Sequence, residues 1–384
     1  MVRQINIFAH QGTMDLTLLP NVSLRANDVI NIDGGAVVRL QSGSTLRADN
    51  VININVGAVV DVQTGATLHA TNAININVGA VVDVQTGATL HADDLINIDR
   101  GAVFELRSGA TLRSDNAITI DRGTLRLQTG ATLAAGSMLV TGGQLTGSGS
   151  VDVAGEVLNQ GVVAPDTHAA LTIEANYRQR VTPTRTGTLR LEFTGEEPDQ
   201  FSQLIVVGRA RLAGTLELVD SEDFVTLPGD VFEVLFYGER SGRFDTISNP
   251  DRPGLTYDPQ YGDLSLTLST SAVKGDANLD GRVDETDLTV MAANWKRSVG
   301  DRGWIFGDYN EDGTVNLIDL VITADHWQAG VPAGAASPGP LDLQAFMAAV
   351  PEPSSAALLI AALPFLLLRR PLRRSPAAVQ WHLP

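Results

Sequence analysis

Residues 51–72 read VININVGAVVDVQTGATLHATN, and residues 73–94 repeat them almost unchanged as AININVGAVVDVQTGATLHADD. The Ile-x-Ile pair of this unit recurs at a constant step, at Ile30/Ile32, Ile52/Ile54, Ile74/Ile76, Ile96/Ile98 and Ile118/Ile120. A glycine keeps the same step, at Gly35, Gly57, Gly79, Gly101 and Gly123, and residues 5–26 form a looser copy. A fixed period of this length indicates stacked repeats, in which each unit buries its apolar face against its neighbours.

Within one unit, apolar and polar residues alternate. This period of two predicts short strands over residues 51–55, 58–63 and 66–70, separated by Asn-x-Gly and Thr-Gly turns. A coil this short cannot bury a core alone, whereas stacked coils share one, each rising about 4.8 Å. We therefore expect a right-handed parallel β-helix of about six coils over residues 1–140, with one repeat unit per coil. A run of antiparallel hairpins is the alternative, but the identical phase of every unit favours stacking.

Stacking in register would align equivalent polar residues in columns. The expected columns are Asn31, Asn53, Asn75 and Asn97; Asp61 and Asp83; and His69 and His91. One interpretation is a carbohydrate-binding or metal-binding stripe. The other is a set of self-stacking polar faces that keep the sheets solvated. The repeat units carry no long insertions that could form the irregular cleft of a polysaccharide-cleaving β-helix.

The composition narrows the class of protein further. The chain has 384 residues, 43% hydrophobic and 18% charged, with a net charge of −17 and no cysteine. The missing cysteines exclude a disulfide scaffold, a thiolate metal site and a cysteine nucleophile. The excess of acidic residues argues against nucleic acid as a partner, because phosphate binding requires clustered Lys and Arg. The same excess of acidic residues is compatible with the binding of cations.

The repeat decays after residue 135, and residues 141–272 are predicted to be a β-rich continuation or a sandwich. The segments LTIEANYRQ (171–179) and GTLRLEF (187–193) resemble the exit from the passenger β-helix of autotransporter-type surface proteins, and similar segments of planctomycete surface proteins. The sequence contains no nucleophile elbow, P-loop, dinucleotide fingerprint or HExxH motif. A glycosidase-like pair drawn from the loop carboxylates is the enzymatic alternative; these are Glu192, Glu196, Glu197, Asp199, Glu222 and Asp223. We expect a protein that is not an enzyme.

Two acidic loops, over residues 276–287 and 308–319, carry the strongest chemical signal. Each has oxygen-bearing side chains at positions one, three, five, nine and twelve and a glycine at position six, a spacing that suits a hard cation. Position seven would supply its carbonyl. The expected ligands are Asp276, Asn278, Asp280, Arg282, Asp284 and Asp287 for one ion, and Asp308, Asn310, Asp312, Thr314, Asn316 and Asp319 for the other. An Asp/Asn-rich turn without metal would not explain the paired glycines or the paired Val283 and Val315.

Residues 274–330 resemble a dockerin type I domain, in which each calcium loop is followed by a single helix. The resemblance implies two bound Ca²⁺ ions and a cohesin-like protein partner. In that family, loop positions ten and eleven contact the cohesin, and they correspond here to Glu285, Thr286, Leu317 and Ile318. These residues differ from the Ser-Thr pairs of cellulosomal members. A calcium-stapled folding module without a cohesin partner is the alternative interpretation.

The C-terminal part is predicted to be an Ala/Gly/Pro linker over residues 331–349 and a sorting tail over residues 350–374. The tail combines Pro351, Glu352 and Pro353 with an apolar helix and a basic cluster that includes Arg369 and Arg370, and it resembles a PEP-CTERM signal. The resemblance implies transient membrane insertion through this C-terminal helix and processing by an exosortase-type enzyme. An ordinary tail anchor is the alternative. Residues 1–20 have no signal-peptide pattern, so we expect the true start to lie upstream.

Together these features predict a mainly β, exported, non-enzymatic protein of the cell surface or extracellular matrix. A β-helix would be followed by a small α-helical calcium module that mediates association with a protein or an extracellular polysaccharide. The alternatives are a polysaccharide-acting extracellular enzyme and a glycan-binding adhesin on the β-helix.

Overall fold

A computed structural model describes residues 2–8, 14–331 and 341–350 of the chain. It contains two compact units. The first comprises Met1–Asp251 with Tyr257–Thr270, and the second comprises Arg252–Thr256 with Ser271–Pro384.

The first unit is a parallel β-solenoid, as the repeat predicts. In residues 2–141 its strands are β1 (Val2–Ile7), β2 (Met14–Leu18), β3 (Ser23–Ile32), β4 (Ala36–Leu40), β5 (Thr45–Ala48), β6 (Val51–Ile54), β7 (Val59–Val62), β8 (Thr67–Ala70), β9 (Ala73–Ile76), β10 (Val81–Val84), β11 (Thr89–Ala92), β12 (Leu95–Ile98), β13 (Val103–Leu106), β14 (Thr111–Asp121), β15 (Thr124–Leu127) and β16 (Thr132–Thr141).

The remaining strands are β17 (Gln144–Gly147), β18 (Ser150–Val153), β19 (Glu156–Asn159), β20 (Val162–Pro165), β21 (Leu171–Ile173), β22 (Asn176–Gln179), β23 (Val181–Thr182), β24 (Arg185–Thr186), β25 (Thr188–Phe193), β26 (Leu204–Leu212), β27 (Thr215–Asp220), β28 (Val231–Gly242), β29 (Thr246–Ser248), β30 (Thr256–Tyr261) and β31 (Ser265–Ser271).

Each regular coil contributes three strands, and the register between coils equals the repeat. Val51 pairs with Ala73, and Thr67 pairs with Thr89. The middle strand of each coil belongs to a separate sheet, which has eleven strands in the described residues. Its strands β2, β4, β7, β10, β13 and β15 lie within residues 1–140, in agreement with the six predicted coils.

The core is a stack of aliphatic side chains that point inward from alternate strand positions. Ile52, Ile54, Val60, Val62 and Leu68 have no solvent-exposed surface. The turns between strands require left-handed backbone, which Gly57 and Gly65 supply with φ near 70°. Strand positions therefore bury the apolar face, and the turn glycines let the next strand start in phase.

Residues 141–272 continue the solenoid instead of forming a sandwich. Strands β17, β20, β25, β27 and β29 extend the eleven-stranded sheet, with parallel pairing throughout. The coils lose the constant step of the earlier repeats, since Thr124 pairs with Gln144 and Gln144 pairs with Val162. Strand β31 then pairs antiparallel with β28 and ends the parallel run.

A polar network and an aromatic cluster fill the core of this later part. Buried Asn159 donates from Nδ2 to the Tyr177 hydroxyl at 2.9 Å, and that hydroxyl donates to Oε1 of Gln179 at 2.8 Å. Burial raises the pKa of Tyr177, so the phenol stays protonated. Further along, the ring of Phe193 lies 4.3 Å from that of Phe232. The side chains that fill this part of the core are therefore larger than those of the repeat.

The second unit is helical. Its elements are α1 (Glu285–Ala293), a 3₁₀ segment (Gly303–Phe306), α2 (Leu317–Asp325) and α3 (Leu343–Ala349). Helix α3 lies inside the range predicted as a linker, and this part of the prediction was wrong. Phe346 is buried and its ring meets edge-on, at 5.2 Å, that of Trp295, which follows the C-terminus of α1; this apolar contact holds α3 in place.

Within the described part of the chain, none of the helices is long and apolar enough to cross a bilayer. The predicted sorting residues Pro351, Glu352, Pro353, Arg369 and Arg370, with the predicted C-terminal apolar helix, lie outside the described residues.

Candidate functional site

The two acidic loops fold because their last positions also start a helix. Asp284 caps the N-terminus of α1 by accepting from the Thr286 amide at 2.9 Å, while Asp287 accepts from the Asp284 amide at 2.8 Å. Asn316 and Asp319 form the same reciprocal capping box on α2. Positions nine and twelve of each loop are thus fixed by helix capping, which holds their oxygens in place before any ligand binds.

The carboxylate at position twelve also draws in the start of its own loop. Asp287 Oδ1 accepts from the amide of Ala277 at 2.8 Å, and Asp319 Oδ1 accepts from that of Tyr309 at 2.8 Å. Backbone amides thus contact one side of the carboxylates. Each remaining lone pair is left for another partner, since a carboxylate has about four acceptor sites.

Position one faces the glycine at position six. Asp276 Oδ2 accepts from the Gly281 amide at 2.8 Å, and Asp308 Oδ2 accepts from the Gly313 amide at the same distance. Gly281 and Gly313 have φ of 88° and 83°, a region that a side chain strongly disfavours. The glycines at position six therefore make the sharp turn that brings the amide back to the first ligand.

Positions three and five lie side by side in both loops. Asn278 Nδ2 donates to Asp280 Oδ2 at 3.0 Å, and Asn310 Nδ2 donates to Asp312 Oδ2 at 2.8 Å. These side chains are exposed or half-buried at the rim, whereas positions one and twelve are buried. The Arg282 and Thr314 amides donate to Asp280 and Asp312, which places position seven beside position five in each loop.

The carboxylates at positions one and twelve of the two loops are buried close to one another. Burial raises the pKa of Asp276 to about 6; the hydrogen bond from Gly281 opposes this rise, and the charges of Asp287 and Asp280 add to it. Burial also raises the pKa values of Asp287 and Asp319. Clustered buried carboxylates destabilise one another unless a cation or a proton compensates them.

One atom shows most directly that the residues fit a cation. Asp308 Oδ1 is buried and has no hydrogen-bond partner in the described residues. An unpaired buried carboxylate oxygen is costly, and a hard dication with oxygen ligands is the group that would satisfy it. The donor set, which contains oxygen ligands only, fits Ca²⁺ or Mg²⁺ and not a soft metal.

Contacts that sequence reasoning missed join the two loops. Trp304 Nε1 donates to the Asp276 carbonyl at 2.7 Å, and the Tyr309 hydroxyl donates to the Gly275 carbonyl at 3.0 Å. The two rings meet edge-on at 5.4 Å. A tyrosine inside an otherwise polar loop was the available signal, because a buried phenol needs a partner for its hydroxyl.

The halves of the unit are also joined symmetrically through their backbones. Val283 donates from its amide to Ala329 and accepts from the amide of Gln328. Val315 likewise donates from its amide to Arg297 and accepts from the amide of Lys296. Lys296 and Gln328 occupy equivalent positions in the two halves, and both have positive φ, of 62° and 66°. Each loop is therefore held by the segment that follows the helix of the other half, and buried Val283 and Val315 lie at these junctions.

Residues 274–326 match the dockerin type I domain family. Dockerin type I domains bind calcium, typically pair with cohesin domains, and are typical of extracellular and cell-surface proteins. No curated protein matches the chain.

The residues predicted to contact a partner lie at the starts of the two dockerin helices. Glu285 and Thr286 are exposed on the first turn of α1. On α2, Leu317 is half-buried and Ile318 is 54% exposed. The α2 start thus presents aliphatic side chains where α1 presents a carboxylate and a hydroxyl, so the two halves of the module differ chemically at these positions.

Proposed function

We propose that this protein is a non-enzymatic, exported surface or matrix protein whose dockerin module binds two calcium ions and a protein partner. The observation that carries the proposal is the paired loop geometry, in which buried carboxylates, capping boxes and glycine turns recur in both halves of the module. The solenoid would serve as a rigid spacer.

Each loop would hold one ion through its own side chains. Asp276 and Asp287, with their counterparts Asp308 and Asp319, are buried and would face the ion directly. Bound calcium supplies a dipositive charge that compensates the clustered carboxylates and keeps them ionised at neutral pH. The amides of Gly281 and Gly313 orient the first carboxylate, while the capping boxes fix the last one.

Isothermal titration calorimetry on the full chain tests this part of the proposal. The wild type is expected to bind two Ca²⁺ ions, and Asp276→Asn or Asp308→Asn is expected to weaken one of them at least about tenfold. Asp301→Asn, at an exposed position outside the loops, is the matched control and should titrate like the wild type. Fewer than two ions in the wild type, or an equal loss in the control, would contradict the proposal.

The partner would be a cohesin-like protein bound at the helix starts. Ile318 supports this proposal because it is 54% exposed and aliphatic at the start of α2, at the position where α1 has the hydroxyl of Thr286. Capture on an immobilised panel of cohesin domains in calcium tests it. Ile318→Asp should abolish capture, whereas Leu264→Asp, at an exposed aliphatic residue of the solenoid, should not. No capture of the wild type would leave a calcium-stapled folding module.

A role without catalysis is supported by how the solenoid's polar columns are used. Asp61 accepts from Gln85 at 2.7 Å and Asp83 accepts from Arg107 at 2.8 Å, so both carboxylates are committed to side-chain partners. Glu192, Glu222 and Asp223 are exposed rather than enclosed in a cleft.

The C-terminal tail would direct the chain to the surface through an exosortase-type enzyme. Mass spectrometry of the native protein tests this, with cleavage expected near Pro351–Pro353.

A further inference from the structure

On one face of the solenoid, basic residues in one column pair with aspartates in the next. Arg25, Arg47, His69, His91 and Arg113 occupy successive coils at one register position. Arg25 and Arg47 both contact Asp49, at 2.6 and 3.4 Å, and Arg113 contacts Asp115 at 2.8 Å. In these coils a permanent guanidinium charge compensates each carboxylate.

Two coils in the middle of this face lack the Arg–Asp ion pair. His69 and His91 replace arginine, and they flank Asp93, whose ion-pair contacts within the described residues are these two histidines. A neutral imidazole carries no compensating charge, so Asp93 lacks the permanent counter-charge that Asp49 and Asp115 have. The cluster of His69, His91 and Asp93 therefore differs chemically from the Arg–Asp ion pairs of the neighbouring coils.

The three side chains converge on one point. His69 Nε2 lies 2.8 Å from Asp93 Oδ1, and His91 Nε2 lies 3.5 Å from the same oxygen. One ligand atom from each of the three residues lies within 4.8 Å of the others. The two imidazoles are stacked, with ring centroids 4.9 Å apart, and both present Nε2 to Asp93. The side chains of His69 and His91 are only 14% and 24% exposed.

One nitrogen of this cluster has no hydrogen bond. His91 Nε2 is buried and makes none in the described residues, although Asp93 and Asp115 oxygens lie 3.5 and 3.4 Å away. Arg113 donates to Asp115, whereas the Asp93 carboxylate has only the His69 imidazole as a hydrogen-bond partner in the described residues. A metal ion would replace that hydrogen bond, with His69 and Asp93 both becoming ligands. An imidazole nitrogen held near two carboxylates without a hydrogen bond is positioned to receive a cation.

We propose that His69, His91 and Asp93 form a site for a divalent transition metal on the solenoid, distinct from the calcium loops. Two imidazole nitrogens and one carboxylate suit Zn²⁺ and its neighbours in the first row, with water completing a tetrahedral shell. Ca²⁺ and Mg²⁺ prefer oxygen ligands only, so the two kinds of site select different ions.

Zinc titration of the full chain tests the site. The protein is prepared without a polyhistidine tag, and calcium is held in millimolar excess so that the dockerin loops are filled. The wild type is expected to bind one Zn²⁺ ion that the His69→Gln/His91→Gln double variant binds at least about tenfold more weakly. His168→Gln, at an exposed histidine outside the cluster, is the matched control and should bind zinc like the wild type.

A spectroscopic measurement on the wild type decides the question even if the double variant misfolds. One equivalent of Cu²⁺ in place of zinc should give an electron paramagnetic resonance spectrum with coupling to two imidazole nitrogens. Identical zinc isotherms for the wild type and a folded double variant would overturn the proposal. A copper spectrum without coupling to imidazole nitrogen, as a site with oxygen ligands only would give, would overturn it as well. The His69–His91–Asp93 cluster would then only interrupt the series of Arg–Asp ion pairs.

Discussion

Asp230 is a half-buried carboxylate of the solenoid whose protonation is linked to folding. Its Oδ2 accepts from the Leu227 amide at 2.7 Å. Burial raises the pKa of Asp230 to about 6; the Leu227 hydrogen bond opposes the rise and the charge of Asp220 adds to it. The folded state therefore holds this proton more tightly than the unfolded chain, where the pKa is about 4. The stability that this adds is fully present below pH 4 and is lost as the pH rises through 6.

Replacing Asp230 by Asn should stabilise the protein at neutral pH. The amide oxygen can still accept from Leu227, and no charge is buried. Thermal unfolding of Asp230→Asn and the wild type, followed from pH 3.5 to 8, should show a melting temperature raised by a few degrees at pH 7 to 8. The difference should vanish toward pH 4. Asp152→Asn, at an exposed strand position, is the control, and a difference independent of pH would contradict the linkage.

Glycines in the turns have two separable roles, and the coils offer a matched pair to distinguish them. Gly79 has φ of 67°, with no atom near the position of a Cβ, so only the backbone conformation demands glycine. Gly147 has φ of 109°, and a Cβ there would collide with the Leu127 carbonyl oxygen of the preceding coil. Glycine at 147 is therefore required both by its backbone angle and by the close approach of neighbouring coils.

Alanine at these two positions should have unequal effects. We expect Gly79→Ala to lower the free energy of unfolding by about 1 kcal/mol, the cost of a left-handed side chain. Gly147→Ala should lower it by about 3 kcal/mol or more, because strain and overpacking add. Urea unfolding followed by far-ultraviolet circular dichroism compares them. Equal losses of unfolding free energy in the two variants would show that the neighbouring coils move apart to accommodate a side chain at Gly147.

Helix α3 depends on one side chain. Phe346 is buried against Trp295, whereas Gln344 on the same helix is exposed. Seven residues form too short a helix to persist in water without such packing. Phe346→Ala should therefore release α3 and expose Trp295, which acrylamide quenching of tryptophan fluorescence would detect. Gln344→Ala should quench like the wild type. Unchanged quenching in Phe346→Ala would mean that other contacts hold the helix.

The two units of the chain should respond differently to calcium. Three of the chain's four tryptophans, Trp295, Trp304 and Trp327, lie within residues 274–330, so fluorescence reports on the dockerin module. A chelator should shift the emission to longer wavelength, because the acidic loops lose the ions that compensate them. Each ion present at a hundredfold excess over its dissociation constant adds about 2.7 kcal/mol to the free energy of unfolding of the module.

The solenoid serves as the internal control for this experiment. Its β-sheet circular dichroism should survive the chelator, since a continuous aliphatic core holds its coils together. Excess Mg²⁺ should restore the emission poorly, because Mg²⁺ dehydrates reluctantly and requires octahedral geometry. An emission spectrum that does not move on chelation would contradict metal-dependent folding of the module.

The sequence sufficed for features that depend on local pattern. Alternation at Ile52, Val60 and Leu68 predicted three strands per coil, and the constant step between units predicted the register, because equal units can stack in only one phase. The columns of Asn31, Asn53, Asn75 and Asn97 followed from the same step and are confirmed, with side-chain hydrogen bonds of 2.8 to 3.0 Å between neighbours. Loop spacing alone selected the candidate calcium ligands.

Contacts between distant segments depended on the tertiary structure. No spacing rule linked Phe346 to Trp295, so a helix was missed where composition favoured a linker. Asp93 lies in the coil after that of His69, at a position two residues further along the chain than the residue stacked on His69. Only the packed structure shows that both imidazoles turn toward it. Periodicity fixes which backbones are neighbours, whereas burial and side-chain direction decide which atoms meet. The buried oxygen of Asp308 owes its lack of a partner to that packing.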